Sequence, residues 1–139
     1  MFRIERKMHI IGTDTVPTKK FHTSPVTQVV SAEFICSQCN STNLFEIAPY
    51  VTGFPFDDLY QDGKILSGEE IIEKEIARVT SPKAANRGEY TVFDLLTLYF
   101  GVNCTNCHSN HLIVFGMEEV QQGSELCIIS GSWRFEWTP

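Results

Sequence analysis

Two Cys-x-x-Cys pairs, far apart in the chain, constrain its folding more than any other feature. The first pair is Cys36 and Cys39, and the second is Cys104 and Cys107. Four thiolates at these spacings can complete a tetrahedral metal site. Sites in which all four ligands are thiolates usually stabilise a fold rather than catalyse a reaction. The sequence therefore predicts one Zn²⁺ held by all four cysteines in a structural role.

Each pair lies in a copy of one local pattern, with a constant offset between the copies. Residues 34–47 align with residues 102–115, so that Ser41 matches Ser109. Each copy predicts a strand, a tight turn that carries the thiols, and a second strand, which together form a zinc knuckle. Backbone N–H groups in such a turn can hydrogen-bond the sulfurs. The arrangement resembles the zinc-ribbon class over the knuckles and their flanking strands only, because the insert between them is longer than a ribbon needs.

Other chemistries of the four cysteines stay open. A redox pair in each Cys-x-x-Cys would suit a thioredoxin-like protein, but that motif needs a βαβ context, and both pairs here join strand to strand. The run from Cys104 to His108 matches the c-type haem attachment pattern, although no export signal accompanies it. Mononuclear iron or an iron–sulfur cluster would also accept four sulfur ligands.

The remaining metal-binding side chains are predicted to lie outside the site. His108 directly follows a ligand, where its ring would point away, and His111 takes the position that Asn43 has in the first copy. We expect both to be exposed turn histidines. Cys127 lies within an apolar run, where a free cysteine behaves as a small buried hydrophobe.

Length and charge limit the class of protein. With 139 residues, the chain is expected to form a single domain, residues 1–139, with a hydrophobic core of its own. No apolar run approaches a membrane span, and the charged segment 1–7 does not resemble a signal peptide. Free cysteines at metal-binding spacing favour a reducing, cytoplasmic setting. The net charge of −6 argues against nonspecific binding to nucleic acid.

The predicted fold class is α+β and β-rich, with an antiparallel sheet, two zinc knuckles and one amphipathic helix. The helix falls in a long insert, residues 52–90. Ser67 fits an N-cap with Glu70 at the capping-box spacing, and Glu70 also stands four residues before Lys74, a favourable pair. The predicted apolar stripe of this helix consists of Ile72, Ile76 and Val79, with Ile71 beside it. Ser81 and Pro82 are expected to end the helix.

Alternating and β-branched segments predict the strands. They cover 8–11, 26–35, 44–51, the last part of 91–102, 112–115 and 126–137, the last bent near Gly131. Residues 116–123 are expected to form an acidic connection. Trp133, Phe135 and Trp137 alternate with polar residues, which favours a core face, with anchors on an interface edge strand as the alternative.

No catalytic set is evident. The chain has no Gly-rich phosphate loop and no His-Glu-x-x-His. Four thiolates would leave no open coordination position for water. We therefore expect a binding protein rather than an enzyme: a zinc-stabilised protein-interaction module, in concrete form a small acidic immunity or inhibitor protein that neutralises a basic toxin. The carboxylates of 57–75 and those of Glu118 and Glu119 would steer such a partner.

Two alternatives stay open. The first is a zinc-ribbon accessory factor of nucleic-acid machinery, in which aromatic side chains stack on bases. The candidate stacking residues are Tyr50, Phe54, Phe56 and Tyr60. The second is an enzyme with structural zinc whose site is the acidic loop around Asp57 and Asp58.

Overall fold

The computed structural model describes residues 1–139. It contains ten strands and three short helices. The strands are β1 (Met8–Thr13), β2 (Lys20–His22), β3 (Val30–Ile35), β4 (Thr42–Ile47), β5 (Phe54–Pro55), β6 (Arg78–Val79), β7 (Tyr90–Thr91), β8 (Leu96–Asn103), β9 (Asn110–Gln121) and β10 (Ser124–Trp137). The helices are α1 (Asp57–Tyr60), α2 (Gly68–Glu73) and a 3₁₀ helix (Pro82–Arg87).

One six-stranded antiparallel sheet organises the molecule. Its order is β1-β10-β9-β8-β5, and β2 pairs with β10 beside β1. The hairpins β3-β4 and β6-β7 form two separate two-stranded sheets. The predicted β-rich, antiparallel architecture is therefore confirmed.

The central sheet is buried on both faces, which explains the unbroken apolar run at the start of β9. Leu112 and Val114 belong to a core shared with α2, and Ile113 and Phe115 to a core shared with the β3-β4 hairpin. Successive strand residues point to opposite faces, so an apolar run is what a doubly covered strand requires. Burial of each such side chain contributes roughly 1.5–3 kcal/mol. The two cores lie on opposite faces of the same sheet. That the chain forms a single domain stays a prediction.

The long hairpin β9-β10 differs from the expectation for residues 116–123. The segment 116–121 continues β9 instead of forming an acidic connection, and the chain reverses at Gln122 and Gly123. Gly123 has a φ of 77°, a conformation that glycine adopts at little cost. The prediction was wrong because the exposed end of this hairpin carries polar residues that resemble a loop.

The predicted bend in β10 is confirmed, and so is its core face. The register of β9 and β10 shifts between Ile129 and Gly131, where a Cβ would approach the Trp133 ring to 3.0 Å. Trp133 and Phe135 are buried, and Trp137 is half-buried. Because β10 lies between β9 and β1 with β2, it is not an edge strand. The edge-strand alternative for these aromatics was therefore wrong.

The start of α2 is as predicted. The Glu70 N–H donates to Ser67 Oγ at 3.1 Å, and the Ser67 N–H donates to Glu70 Oε1 at 3.2 Å, a complete capping box. Glu70 does not pair with Lys74, however. Its carboxylate accepts from Lys7 Nζ at 2.8 Å, because the N-terminal segment runs beside the helix start.

The predicted length of the helix was wrong, since α2 ends at Glu73 and the short strand β6 follows within the predicted span, while α1 and the 3₁₀ helix lie before and after it. Glu75 adopts a φ of 56°, and the chain leaves α2 through a Schellman motif in which the Ile76 N–H donates to the Ile71 carbonyl at 2.9 Å. The buried pair is therefore Ile71 and Ile76. Ile72 and Val79 of the predicted stripe are 47% and 67% exposed.

Candidate metal centre

The four cysteines of the two knuckles meet at one point. All four sulfur atoms lie within 4.8 Å of one another. Cys36 Sγ is 3.6 Å from Cys107 Sγ, and Cys39 Sγ is 3.6 Å from Cys104 Sγ. A tetrahedral ion with metal–sulfur bonds of about 2.3 Å places its sulfurs about 3.8 Å apart. The cluster is thus positioned to coordinate one metal ion.

The local backbone explains how each knuckle presents its thiols. In the first knuckle, the Cys36 N–H donates to the Ser41 carbonyl at 3.0 Å, and the Asn40 N–H donates to the Cys36 carbonyl at 2.9 Å. The second knuckle repeats both hydrogen bonds at the matching positions, at 2.9 and 3.0 Å. The internal repeat in the sequence therefore corresponds to two turns with the same backbone hydrogen bonds.

Both turns need a left-handed residue directly after the second cysteine. Asn40 has a φ of 61°, and His108 at the matching position has a φ of 62°. Asparagine tolerates this region better than most residues. His108 is exposed, as predicted, and its position serves the turn rather than the metal.

Side chains of the first knuckle hydrogen-bond a thiol of the second. The Ser41 hydroxyl lies 3.2 Å from Cys104 Sγ, and Asn43 Nδ2 donates to the same sulfur at 3.4 Å. Burial of Cys104 raises its pKa, but these contacts and the backbone N–H of Cys107 outweigh burial and lower the pKa to about 5. The thiolate that a metal requires is therefore favoured before any metal binds.

Side chains of the second knuckle likewise contact a thiol of the first. The Ser109 hydroxyl lies 3.5 Å and His111 Nε2 3.6 Å from Cys36 Sγ. Burial raises the pKa of Cys36, and the Ser109 contact opposes that effect. At the half-buried Cys39, a hydrogen bond from the Asn106 side chain is the main cause of a pKa lowered to about 7. Each knuckle thus completes the sulfur environment of the other.

His111 is not the exposed turn residue that the sequence predicted. Its side chain is fully buried, with Nδ1 at 2.6 Å from Asp14 Oδ2 and Nε2 at 2.8 Å from Ser109 Oγ. The expectation was wrong because the second strand of each knuckle points this position inward, as it does for Asn43. The imidazole connects a carboxylate to the thiol cluster.

Asp14 is the residue that sequence reasoning missed. Besides His111, it accepts from the Ser37 N–H at 2.8 Å and from Ser132 Oγ at 2.6 Å. Burial raises its pKa, but the His111 and Ser132 hydrogen bonds dominate together and hold the pKa below its usual range. One acidic residue in a loop carries no signal in the sequence, because its partners lie up to 118 positions away.

The centre lies between two layers of the fold. The β3-β4 hairpin carries Cys36 and Cys39 at its turn, and the turn between β8 and β9 carries the other pair. The backbone link from the hairpin to the preceding loop is a pair of hydrogen bonds between Thr15 and Ile35, at 2.8 and 3.3 Å. A metal ion would therefore cross-link the hairpin to the central sheet.

Cys127 is separate from this centre and fully buried, as predicted. Burial raises the pKa of its thiol to about 12. The side chain belongs to the apolar core beneath the hairpin. It packs there as a hydrophobe.

Some of the carboxylates predicted to steer a partner lie together on the surface. Asp57 lines one open cleft of roughly 740 Å³ together with Glu118 and Glu119. Tyr50, 62% exposed, stands in the same cleft, and burial followed by the charge of Glu119 raises its pKa. Asp58 is exposed and does not line this cleft. The structure therefore brings together carboxylates about sixty positions apart in the chain.

The four aromatics considered for base stacking do not form one surface. Phe56 is buried in the core on the helix side of the sheet, and Phe54 and Tyr60 pack against that core. Of the four, Tyr50 is the one that is largely exposed. Phe56 is therefore a core residue rather than a stacking platform.

Comparison of the chain with protein-family profiles, curated protein sequences and solved structures gives no match. The helices of the molecule fall short of the length and apolar character needed to cross a membrane.

Proposed function

We propose that the four cysteines bind one Zn²⁺ as a structural cross-link, and that the chain is a zinc-stabilised protein-interaction module. The convergence of four thiols, with each knuckle hydrogen-bonding the other's buried cysteine, carries the proposal. When bound, the ion would supply the strong bonds that hold the hairpin on the sheet. Four protein ligands fill a tetrahedron, which suits a structural site.

We assign the ion as zinc because closed four-cysteine sites in structural roles are typically zinc sites. Zinc–sulfur bonds of about 2.3 Å suit this cluster, and mononuclear iron is the nearest competitor. The half-buried thiols would stay reduced in a reducing compartment such as the cytoplasm, so we also propose that setting. We further propose that the two knuckles share their local design with zinc-ribbon modules.

Native mass spectrometry with elemental analysis, on protein purified without added metal, tests the zinc proposal. We expect one zinc per chain in the wild type and less than a tenth of that in Cys104→Ser. Cys127→Ala is the matched control and should retain the full zinc. A wild type that carries iron, or no metal, would refute the assignment.

The acidic cleft supports a basic protein as the partner. Asp57, Glu118 and Glu119 supply negative charge beside the exposed ring of Tyr50, although Arg87 also lines the cleft. An excess of charge of one sign in a cleft steers an oppositely charged partner and raises the association rate. An aromatic side chain at the same place can anchor the complex. In its concrete form, we propose an immunity or inhibitor protein that masks a basic toxin domain.

A nuclease-protection assay against a toxin encoded beside this gene tests that form. Glu118→Lys with Glu119→Lys should weaken protection at least tenfold, and the loss should grow at low salt. Glu73→Lys with Glu136→Lys changes the net charge equally at exposed positions outside the cleft. Equal loss in both double variants, or no protection by the wild type, would reject the cleft as the binding surface.

A further inference from the structure

We propose that the metal centre is also a thiol-oxidation site, at which a peroxide converts the four cysteines into two disulfides that join the two knuckles. The expected pairs are Cys36 with Cys107 and Cys39 with Cys104. The inference rests on the same cluster as the proposed function. It goes further because it states which cysteines form disulfides and what those disulfides do to the docked hairpin.

Exposure divides the four thiols into two kinds. Cys36 and Cys104 are fully buried, whereas Cys39 and Cys107, the second cysteine of each knuckle, are half-buried. Oxidation of thiols by peroxide follows access to the sulfur. The first attack therefore falls on Cys39 or Cys107.

The geometry places the resolving thiol in the opposite knuckle. Cys39 Sγ lies 3.6 Å from Cys104 Sγ, and Cys107 Sγ lies 3.6 Å from Cys36 Sγ. Each contact joins one accessible sulfur to one buried sulfur. A disulfide has a length of about 2.05 Å, so each pair has to close by only about 1.5 Å.

Each disulfide consumes one peroxide. The Cys39 thiolate attacks one oxygen of hydrogen peroxide, the O–O bond breaks, and Cys39 sulfenic acid and hydroxide form. The Cys104 thiolate then attacks the sulfenic sulfur, the S–S bond forms, and a second hydroxide leaves. Cys107 and Cys36 react in the same way with a second peroxide. Both disulfides together remove all four thiolates, so a bound ion would leave as the aquated cation.

This connectivity has a structural consequence. Disulfides within each Cys-x-x-Cys would leave the β3-β4 hairpin without a cross-link to the central sheet once the metal has gone. Disulfides between the knuckles instead join the hairpin covalently to the turn between β8 and β9. Oxidation would thus exchange one cross-link for another and preserve the docked hairpin.

Tryptic mapping of the full chain tests the proposal. The chain is treated with hydrogen peroxide, remaining thiols are blocked with N-ethylmaleimide in denaturant so that buried cysteines also react, and the protein is digested without reductant. Trypsin leaves both first-knuckle cysteines in peptide 21–64 and both second-knuckle cysteines in peptide 88–134, because neither contains an internal Lys or Arg before its end. We expect the two peptides to be joined, with Cys127 blocked by the reagent. Two separate peptides, each with an internal disulfide, or over-oxidised thiols without disulfides, would overturn the proposal.

Single variants fix the pairing. In Cys36→Ser we expect a disulfide from Cys39 to Cys104 with Cys107 blocked, whereas pairing within knuckles would join Cys104 to Cys107. If a variant does not fold, the wild-type map still decides between the two connectivities. The oxidised wild type should also melt at a higher temperature than the reduced, metal-free protein. Zinc content, measured before oxidation, separates failure of the metal assignment from failure of this inference.

Discussion

At the scale of single residues, the two knuckles are alike in backbone and unlike in the side chains that contact sulfur. Asn43 and His111 occupy matching positions, and each points across the centre to the buried cysteine of the other knuckle. Asn43 accepts from the Thr105 N–H at 2.9 Å and thereby also fixes the second knuckle's turn. His111 connects instead to Asp14, so one half of the centre depends on a carboxylate far away in the chain.

Replacing His111 tests that dependence. In His111→Phe, Cys36 loses its imidazole contact and Asp14 loses a buried hydrogen-bond partner. Leaving a buried polar group without a partner lowers the free energy of unfolding by about 1–3 kcal/mol. We expect metal affinity to fall about 10–100-fold, as when hydrogen-bond partners of metal ligands are removed. Competition with a chromophoric chelator measures it. His108→Asn, in the same knuckle but exposed, is the control and should bind metal as the wild type does. Unchanged affinity in His111→Phe would show that the imidazole contact contributes nothing.

At the scale of elements, local signals predicted how α2 begins but not how it ends. The capping box of Ser67 and Glu70 is legible in four consecutive residues. The helix end is not, because Glu75 takes the left-handed position that usually belongs to glycine, driven by burial of Ile71 and Ile76. Tertiary packing thus overrode a helical pattern.

The strain at Glu75 predicts a stabilising substitution. Glu75→Gly should raise the free energy of unfolding by about 0.5–1 kcal/mol, since relief of the left-handed strain exceeds the added chain entropy. Glu75→Ala removes the same charge while keeping the strain, and should change stability little. Urea denaturation of both variants distinguishes conformation from charge. A Glu75→Gly protein no more stable than Glu75→Ala would contradict the assigned helix end.

The capping residue Glu70 predicts a pH dependence. Burial raises its pKa, but Lys7 and the Ser67 hydrogen bonds together hold the pKa below the usual 4.5. The stability that this carboxylate contributes is therefore present above that ordinary value and lost as pH falls through the lowered one. In Glu70→Gln, the fall in unfolding free energy between about pH 5 and pH 3 should be shallower than in the wild type. Identical slopes would show that the Lys7 pair contributes no stability.

At the scale of the whole molecule, the metal centre lies between the β3-β4 hairpin and the turn that joins β8 to β9. The repeat of Cys-x-x-Cys predicted which four residues converge, because metal geometry limits what such spacing can do. Asp14 and the buried His111 could not be predicted, since their contacts exist only once β1, β9 and β10 are assembled. The acidic character of Glu118 and Glu119 was predicted but their strand conformation was not, because nothing local distinguishes an exposed strand from a loop.

Hydrogen exchange before and after chelation tests the central claim most directly. The hairpin lacks strand pairing with the central sheet and meets it through packing, the thiol cluster and side-chain hydrogen bonds such as those from Arg134 to Ser37 and Gln38. With zinc bound, amides of β3 and β4 should exchange slowly; after removal of zinc under reducing conditions, their protection should fall at least tenfold and return when zinc is restored. The central strands β9 and β10 provide the internal reference and should lose less. Full protection of β3 and β4 in the zinc-free, reduced protein would contradict a structural metal cross-link.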